Sequence, residues 1–298
     1  SNIVYGFYLF FPEILNRLPT IYNTKDIAFK FGFLVIMPLR IFGQIPRSMG
    51  IFREPGVFSI FLVFALYFEL LERETISIFR ILVLLIALFL TYSTTGYIVI
   101  ILIMTVLPFN GADSRRLKRK RNIITFAFFS IVILLLHYTD LLSKNGFIFG
   151  KFMQGSATYV STGARIASVA ANLDIFLRHQ LFGAGSYGLD AEFYDVSIKY
   201  VSLLTTKNNT NTFLINFAAH GLIYGATLTF LWYQFFKSTN GSIISILLFV
   251  SFIALFSGEA MVNNVFFYII AFYGAERCRI YDCACVTVGD NFPKFATV

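Results

Sequence analysis

The stretch "SMGIFREPGVFSIFLVFALYF", residues 48–68, places Arg53 and Glu54 directly before a Pro-Gly pair and an unbroken apolar run. Proline suits the first turn of a helix, and a carboxylate is favoured at the positive end of the helix dipole. The stretch therefore predicts a membrane-spanning helix that begins near Pro55, with two charged side chains at its lip.

Such an arginine needs an explanation, because a charged guanidinium costs at least ~2.5 kcal/mol at the centre of a bilayer and less at its interface. Arg53 is expected to have either a partner or a function. An interfacial ion pair with Glu54 that only helps to start the span is the structural alternative.

The composition predicts an all-α, polytopic integral membrane protein. Of the 298 residues, 57% are hydrophobic, 18% aromatic and 13% charged, whereas soluble domains carry about 25% charge. Apolar stretches of about twenty residues recur, and helices can satisfy their backbone hydrogen bonds within lipid. The net charge of +8 indicates membrane topology and an anionic ligand rather than nucleic acid, because no soluble domain presents the basic residues.

The topology is set by "GADSRRLKRKRN", residues 111–122, in which six of twelve residues are basic. Basic residues in short loops stay on the cytoplasmic side. One membrane domain is expected over residues 1–298, with outer loops at 13–56 and 143–209 and a cytoplasmic tail at 276–298. The expected location is the bacterial inner membrane, crossed several times.

Two segments leave alternatives open. "FKFGFLVIMPLRIFGQI", in the first outer loop, could re-enter the membrane or span it. The stretch 80–110 would be roughly 45 Å long as one helix, against a ~30 Å hydrocarbon core. It is either one long tilted helix or two short helices that meet at a polar break, "TYSTTG", residues 91–96.

The second outer loop contains "STGARIASVAANLDIFLRHQLFGAGSYG", residues 161–188. Its apolar periodicity predicts an amphipathic helix that lies against the membrane or the bundle. Arg165 lies at the start of this helix, where a cation opposes the dipole, so it is expected to meet an anion or carboxylate elsewhere. The Gly-rich end permits close approach of backbone, or is a flexible turn. The apolar positions are Ile166, Val169, Leu173, Phe176, Leu177 and Leu181.

Several other polar residues have ordinary structural explanations. Two histidines in apolar stretches are expected to form hydrogen bonds, an acidic patch is expected on a solvated loop, and Glu259 in "GEAMVNN" is explained by helix capping. The cysteines are interpreted as reduced cytoplasmic thiols, since no histidine nearby completes a zinc site. These residues are His137, His220, Asp190, Glu192, Asp195, Cys278, Cys283 and Cys285. No Walker loop, HExxH, GxSxG or dinucleotide fingerprint occurs.

Four segments, taken in order, resemble the O-antigen polymerase and ligase superfamily over roughly residues 45–275. They are "FREPGVFSIFLVFAL", "TYSTTGYIVIIL", "GARIASVAANLDIFLRHQLFGAGSYG" and "NTFLINFAAHGLIYG". Two positions depart from the family. Thr94 stands where members often have arginine, and Thr210 stands where ligases have a histidine before Asn211, which favours a polymerase. The family usually has more N-terminal spans, so the chain is expected to be a fragment.

The resemblance implies a helical bundle of the glycosyltransferase-C type with a large extracytoplasmic loop. It also implies a glycosyltransferase-type polysaccharide polymerase, which transfers glycan from undecaprenyl diphosphate to a lipid-linked repeat unit at the periplasmic face. Arginine forks suit the departing diphosphate, and Glu54 or His179 could accept the proton. The expected catalytic residues are Arg53, Arg165 and Glu54; the expected substrate-binding residues are Arg178, His179 and Asn211. No metal or cofactor is expected, and a chain-length regulator is a possible partner besides membrane lipid.

Three rivals stay open at this stage. An O-antigen ligase would share the donor but not the acceptor. A flippase of lipid-linked oligosaccharide would place its charges along a path through the middle of the bilayer. A structural membrane subunit would tolerate replacement of Arg53 and Arg165.

Overall fold

A computed structural model describes most of the chain and shows a predominantly helical protein. The described residues are 13, 17–22, 28–32, 35–38, 48–52, 54–72, 75–109, 115–138, 159–200, 209–237, 242–259, 261 and 264–286. Arg53 lies outside them. The helices are α1 (Pro55–Tyr67), α2 (Ile78–Leu90), α3 (Thr94–Val106), α4 (Arg115–Tyr138), α5 (Tyr159–Arg178), α6 (Gly185–Tyr200), α7 (Thr212–Phe236), α8 (Ser242–Phe256) and α9 (Val265–Val286).

A small antiparallel sheet, which the sequence analysis did not predict, lies in the first predicted outer loop. Its strands are β1 (Thr20–Tyr22), β2 (Ala28–Gly32) and β3 (Val35–Pro38), in the order β1-β2-β3. Phe31 pairs with Ile36 and Gly32 with Val35, so β2 and β3 form a tight hairpin. Aromatic and β-branched residues favour this pleated arrangement, which differs from the spanning helix considered for this segment.

The main core joins α1, α2, α3, α8, α9 and the second half of α7. Aromatic side chains fill it: the Phe64 ring lies 4.3 Å from that of Phe252, which stacks 4.5 Å from Phe236. Trp232 is buried and donates its indole N–H to the Phe267 carbonyl at 3.1 Å. The indole bond matters because a buried polar group without a partner would be costly.

The polar break at 91–96 separates α2 from α3, which confirms the two-helix alternative for this region. Tyr92 has a φ of +50°, in the left-handed region that ends a helix. Thr91 donates to the Leu88 carbonyl at 2.7 Å, and Ser93 caps α3 by accepting from the Gly96 N–H at 3.3 Å. Local side-chain bonds therefore replace the backbone bonds that a continuous helix would make.

A second, smaller core joins α5, α6 and the first half of α7. The predicted helix is present as α5, but its apolar stripe, apart from Phe176, faces away from this core and is exposed. The buried face instead carries small residues and Ile175. The alternative in which this stripe packs on the bundle is therefore wrong. The alternative in which it contacts the membrane stays a prediction. The exposed residues are Ile166, Val169, Leu173, Leu177 and, in the following turn, Leu181.

Helix α7 is interrupted at Gly221, which has a φ of +77° and a ψ of −174°. The turn after α5 fills the interruption: Leu222 donates its N–H to Gln180 at 2.7 Å, and Ala184 donates to Ala218 at 2.9 Å. A Cβ on Gly221 would lie 2.2 Å from the Leu181 carbonyl oxygen, and one on Gly183 would lie 2.3 Å from the backbone of Ala219. The close-approach alternative for the Gly-rich segment is confirmed, and the backbone it approaches belongs to α7.

Among the described residues, α7 is long and apolar enough to cross a membrane by length and composition. Five further apolar helices have 10–17 residues. The break at Gly221 divides the one full-length candidate into two parts. The number of crossings therefore stays a prediction.

A buried polar cluster closes the far end of α1, which continues as a π-helical turn over Phe68–Glu72. Glu69 accepts from Ser77 N at 2.9 Å and from Arg80 Nε at 3.1 Å. Arg121 of α4 is buried and donates to the carbonyls of Leu70 at 3.0 Å and Leu71 at 3.3 Å. Burial lowers the pKa of the Arg121 guanidinium, yet arginine stays protonated in proteins, so it can satisfy these helix-end carbonyls.

We expect Gly221→Ala to lower the midpoint of thermal unfolding in detergent. The variant combines a strained φ, worth about 1–3 kcal/mol, with a collision against backbone that cannot move aside. Gly188→Ala is the matched control, because its Cβ would lie 3.5 Å from that of Ala184, an ordinary contact. Equal midpoints for the two variants would contradict the described interruption of α7.

Candidate functional site

The turn after α8 carries Glu259 to the beginning of α1. The Glu259 side chain is 8% exposed, and its Oε1 lies 1.8 Å from the point where a Cβ on Gly56 would stand. Gly56 is the second residue of α1. The absence of a side chain at Gly56 thus provides the space in which this carboxylate lies, at the positive end of the α1 dipole.

Arg165, in the second turn of α5, is the partner of this carboxylate. Its Nη2 donates to Glu259 Oε1 at 2.8 Å, while its side chain stays 32% exposed. The expectation that Arg165 meets a carboxylate away from its own helix is confirmed. We call Gly56, Arg165, Thr212 and Glu259 the Glu259 site.

Thr212 fastens the beginning of α7 to this turn. Its hydroxyl donates to the Glu259 carbonyl and accepts from the Met261 N–H, the latter at 2.8 Å. The neighbouring Asn211 caps α7, accepting from Leu214 N at 2.8 Å. Asn211 Nδ2 is buried and is the side-chain donor that has no hydrogen-bond partner among the described residues. A buried donor without a hydrogen-bond partner costs about 1–3 kcal/mol of stability. A further polar group that accepted from Asn211 Nδ2 would remove this cost.

A polar network joins α5 to the residues before α7. Asn172 and Asn209 exchange two amide hydrogen bonds, at 2.8 and 2.7 Å. Ser168 donates to the Ala164 carbonyl at 2.8 Å and accepts from Thr210 N at 3.2 Å. Its oxygen is also 3.2 Å from the Thr210 hydroxyl. Position 210, where the sequence departs from the ligase pattern, therefore lies beside the α5 face that carries Arg165.

The α2–α3 break also reaches this end of α1. The Ser59 hydroxyl donates to the Gly56 carbonyl at 2.6 Å and lies 3.0 Å from the Ser93 hydroxyl. A Cβ on Gly258 would stand 3.2 Å from Thr95 Oγ1. Segments from all four motifs of the resemblance consequently meet around the Glu259 site.

Glu54, one of the predicted catalytic residues, begins α1 as its N-cap residue and is exposed. Its side chain makes no capping hydrogen bond. Pro55 occupies the first turn as predicted, but the carboxylate at this helix end belongs to Glu259. Arg53 lies outside the described residues, three positions before Gly56.

Arg178 and His179 lie at the other end of α5. Arg178 pairs with Asp174, with an Nη2–Oδ2 distance of 2.6 Å, and His179 Nε2 lies 3.0 Å from Glu192 Oε1. Arg165 and Arg178 are thirteen positions apart, which corresponds to about 20 Å of helix. One diphosphate cannot contact both arginines across that distance.

Sequence reasoning missed Glu259 and helix α6. The prediction that helix capping explains Glu259 is wrong, because the residue is buried and its carboxylate pairs with Arg165, 94 positions earlier in the chain. Helix α6 was interpreted as a solvated loop with an acidic patch. The buried residues Leu189, Phe193 and Val196 follow helical spacing and were the available signal.

One family model, described as O-antigen ligase, matches residues 79–223. The match confirms the predicted resemblance to the O-antigen polymerase and ligase superfamily over this region. Members of the family are enzymes of O-antigen assembly and integral inner-membrane proteins. No curated protein and no solved structure matches the chain significantly.

The matched region contains Arg165, Arg178, His179 and Asn211, whereas Gly56 and Glu259 lie outside it. The family covers both ligases and polymerases, so the match supports a related function without choosing between them.

We expect Gly56→Ala to destabilise the protein by displacing the Glu259 carboxylate. The cost should be about 2 kcal/mol in the wild-type background and less than half of that in a Glu259→Ala background, where the collision is gone. Midpoints of thermal unfolding of the two single variants and the double variant measure this coupling. The same cost in both backgrounds would show that Glu259 does not occupy the space beside Gly56.

Proposed function

We propose that the chain is a polysaccharide polymerase of the inner membrane, which transfers a glycan from undecaprenyl diphosphate to a hydroxyl of a lipid-linked repeat unit at the periplasmic face. The observation that carries this proposal is the meeting of Arg165 with the beginning of α1, where Arg53 immediately precedes Glu54. A guanidinium at that position is suited to the charge that develops on a departing diphosphate.

Arg165 is proposed as a leaving-group stabiliser. One Nη2 hydrogen bond holds its guanidinium to Glu259, and about a third of the side chain is open to a ligand. A guanidinium has five N–H donors, so donors are left for phosphate oxygens. Glu259 is the positioning residue of this pair, since its carboxylate limits where the guanidinium can point.

Arg53 is proposed as the second stabiliser and Glu54 as the general base. In the reaction the acceptor oxygen bonds to the anomeric carbon while the bond from that carbon to the diphosphate oxygen breaks. The diphosphate keeps the electron pair, and the acceptor proton passes to Glu54. The exposed, uncapped carboxylate of Glu54 favours it over His179, which lies far along α5 and already faces Glu192.

Arg178, His179 and Asn211 keep a proposed role in substrate binding. Because α5 separates Arg178 and His179 from Arg165 by about 20 Å, we propose that they contact sugars remote from the diphosphate rather than the leaving group. Asn211 would act through Nδ2 alone, because its oxygen is used by the helix cap. No step of the proposal uses a metal ion.

Position 210 favours polymerisation over ligation. Its threonine offers no titratable group, and its hydroxyl and N–H both contact Ser168. Ligases of the family resemble one another in having a histidine at the position of Thr210, and a histidine is suited to proton transfer. An O-antigen ligase is the second candidate, since the family includes both.

The distribution of buried charge favours an enzyme over a flippase. Among the described residues, buried charged side chains occur at the two ends of α1: Glu259 at its beginning, and Glu69 and Arg121 at its end. These ends are about 20 Å apart by helix rise. A transport path would need polar groups near the middle, where α1 instead contributes Ile60, Val63 and Phe64 to the core.

We expect Arg165→Ala to reduce long-chain polysaccharide by about 10²-fold or more in a polymerase-deficient strain, the scale for losing a preorganised stabiliser. Arg165→Lys should retain part of the activity, because it keeps the charge but loses the planar fork. Arg53→Ala should behave like Arg165→Ala. Gel analysis of the polysaccharide ladder, with expression and insertion verified, measures the effect.

Lys199→Ala, which removes an exposed charge at the end of α6, is the matched control and should keep the full ladder. Wild-type ladders from both Arg165→Ala and Arg53→Ala would reject the catalytic assignment.

A complementation test distinguishes a polymerase from a ligase: the function follows from which deficient bacterial strain the wild-type chain restores. We expect long chains in a polymerase-deficient strain and no transfer of polysaccharide to the lipid core in a ligase-deficient strain. The reverse pattern would make the chain a ligase despite Thr210.

A further inference from the structure

The beginning of α4 presents a basic hollow with an apolar border. Six residues at three- and four-residue steps on one helix face line it: Arg115, Lys118, Arg119, Asn122, Ile123 and Phe126. The hollow is open and has a volume of about 480 Å³. Charged side chains therefore line one edge of the hollow, and apolar side chains line the other edge.

The described residues do not neutralise the three cations of this hollow. No described side chain forms an ion pair with Arg115, Lys118 or Arg119. They contrast with Arg121, two residues beyond Arg119, which is buried against the carbonyls that end α1. Like charges three and four residues apart repel, and cations in the first turns of a helix oppose its dipole. An anion in the hollow would relieve both effects.

The apolar border selects an anion that carries a hydrocarbon chain. Ile123 is 57% exposed and Phe126 is 77% exposed. Apolar surface in water is unfavourable in free energy, and contact with acyl chains removes that cost. An apolar groove of about 320 Å³ between α2 and α4 begins on the adjoining face at Ile124 and continues past Phe128 and Ile131. It offers room for a second chain.

We propose that the beginning of α4 is a binding site for an anionic phospholipid of the cytoplasmic leaflet. Arg115, Lys118 and Arg119 contact its phosphate, and its acyl chains lie over Ile123, Phe126 and the α2–α4 groove. Clusters of basic residues next to a membrane segment attract anionic lipids by about 1 kcal/mol for each charge. This site does not depend on the catalytic proposal, because it lies on a different helix from Arg165 and Glu259.

The experiment compares two double variants that remove the same amount of charge from the beginning of α4. Lys118→Gln/Arg119→Gln changes the hollow, whereas Arg116→Gln/Lys120→Gln changes neighbouring cations outside its lining. Native mass spectrometry of the full chain in detergent, titrated with phosphatidylglycerol, measures retained lipid. We expect about thirtyfold weaker retention for the first variant and less than about twofold for the second, with thermal unfolding used to verify folding.

Two further probes identify the ligand. Phosphatidylcholine with the same acyl chains should be retained more weakly than phosphatidylglycerol by the wild-type chain, and glycerol phosphate, which has no acyl chain, should not compete. Equal losses in both double variants would indicate diffuse attraction to all the basic residues at the beginning of α4 and overturn the site. Competition by glycerol phosphate would identify a free-phosphate site instead, and equal retention of the two lipids would exclude headgroup recognition.

Discussion

Glu259 carries its carboxylate into a space almost closed to solvent, and a buried carboxylate is tolerated only with a counter-charge and hydrogen-bond partners. The structure meets that requirement with Arg165, 94 residues earlier in the chain, and with the positive end of α1 beside Gly56. Because Thr212 is hydrogen-bonded to the same turn, one buried charge ties together α1, α5, α7 and α8. Removing any one contact would change the surroundings of the others.

The same arrangement explains why the two cores do not behave as separate units. Helix α7 packs its first half on α5 and α6 and its second half in the aromatic core, and it changes direction at Gly221. The turn at Gly183 inserts into that interruption and bonds to the backbone there. Helices α5 and α6 are thereby attached to the bundle at two places, the Glu259 site and the Gly221 turn. These two attachments keep Arg165 beside the first turn of α1.

The ends of α1 have different polar chemistry, and the difference follows from their surroundings. Its beginning meets an anion, Glu259, as the helix dipole favours. Its end is closed by the cation Arg121, which donates to carbonyls left without intrahelical partners. The basic residues around Arg121 consequently divide into two kinds: one that is buried and structural, and others that face outward and are available to lipid.

Local physics made several features readable from the sequence. Pro55 after two charged residues predicted the beginning of α1, and the dipole argument predicted a distant partner for Arg165. The Ser- and Thr-rich stretch offered the break before α3 as one of two alternatives. Each of these depends on contacts within a few residues, or on a penalty that must be relieved somewhere. For the same reason the family resemblance, which rests on short motifs in order, could be recognised without coordinates.

Tertiary structure alone decided which groups meet. A carboxylate in a short turn has the same local sequence pattern whether it caps a helix or enters the core. The residues around Glu259 therefore did not predict its contacts with Arg165 and Gly56. Apolar periodicity predicted α5 but not which neighbour would cover it, because a stripe that faces lipid and one that faces protein have equal hydrophobicity.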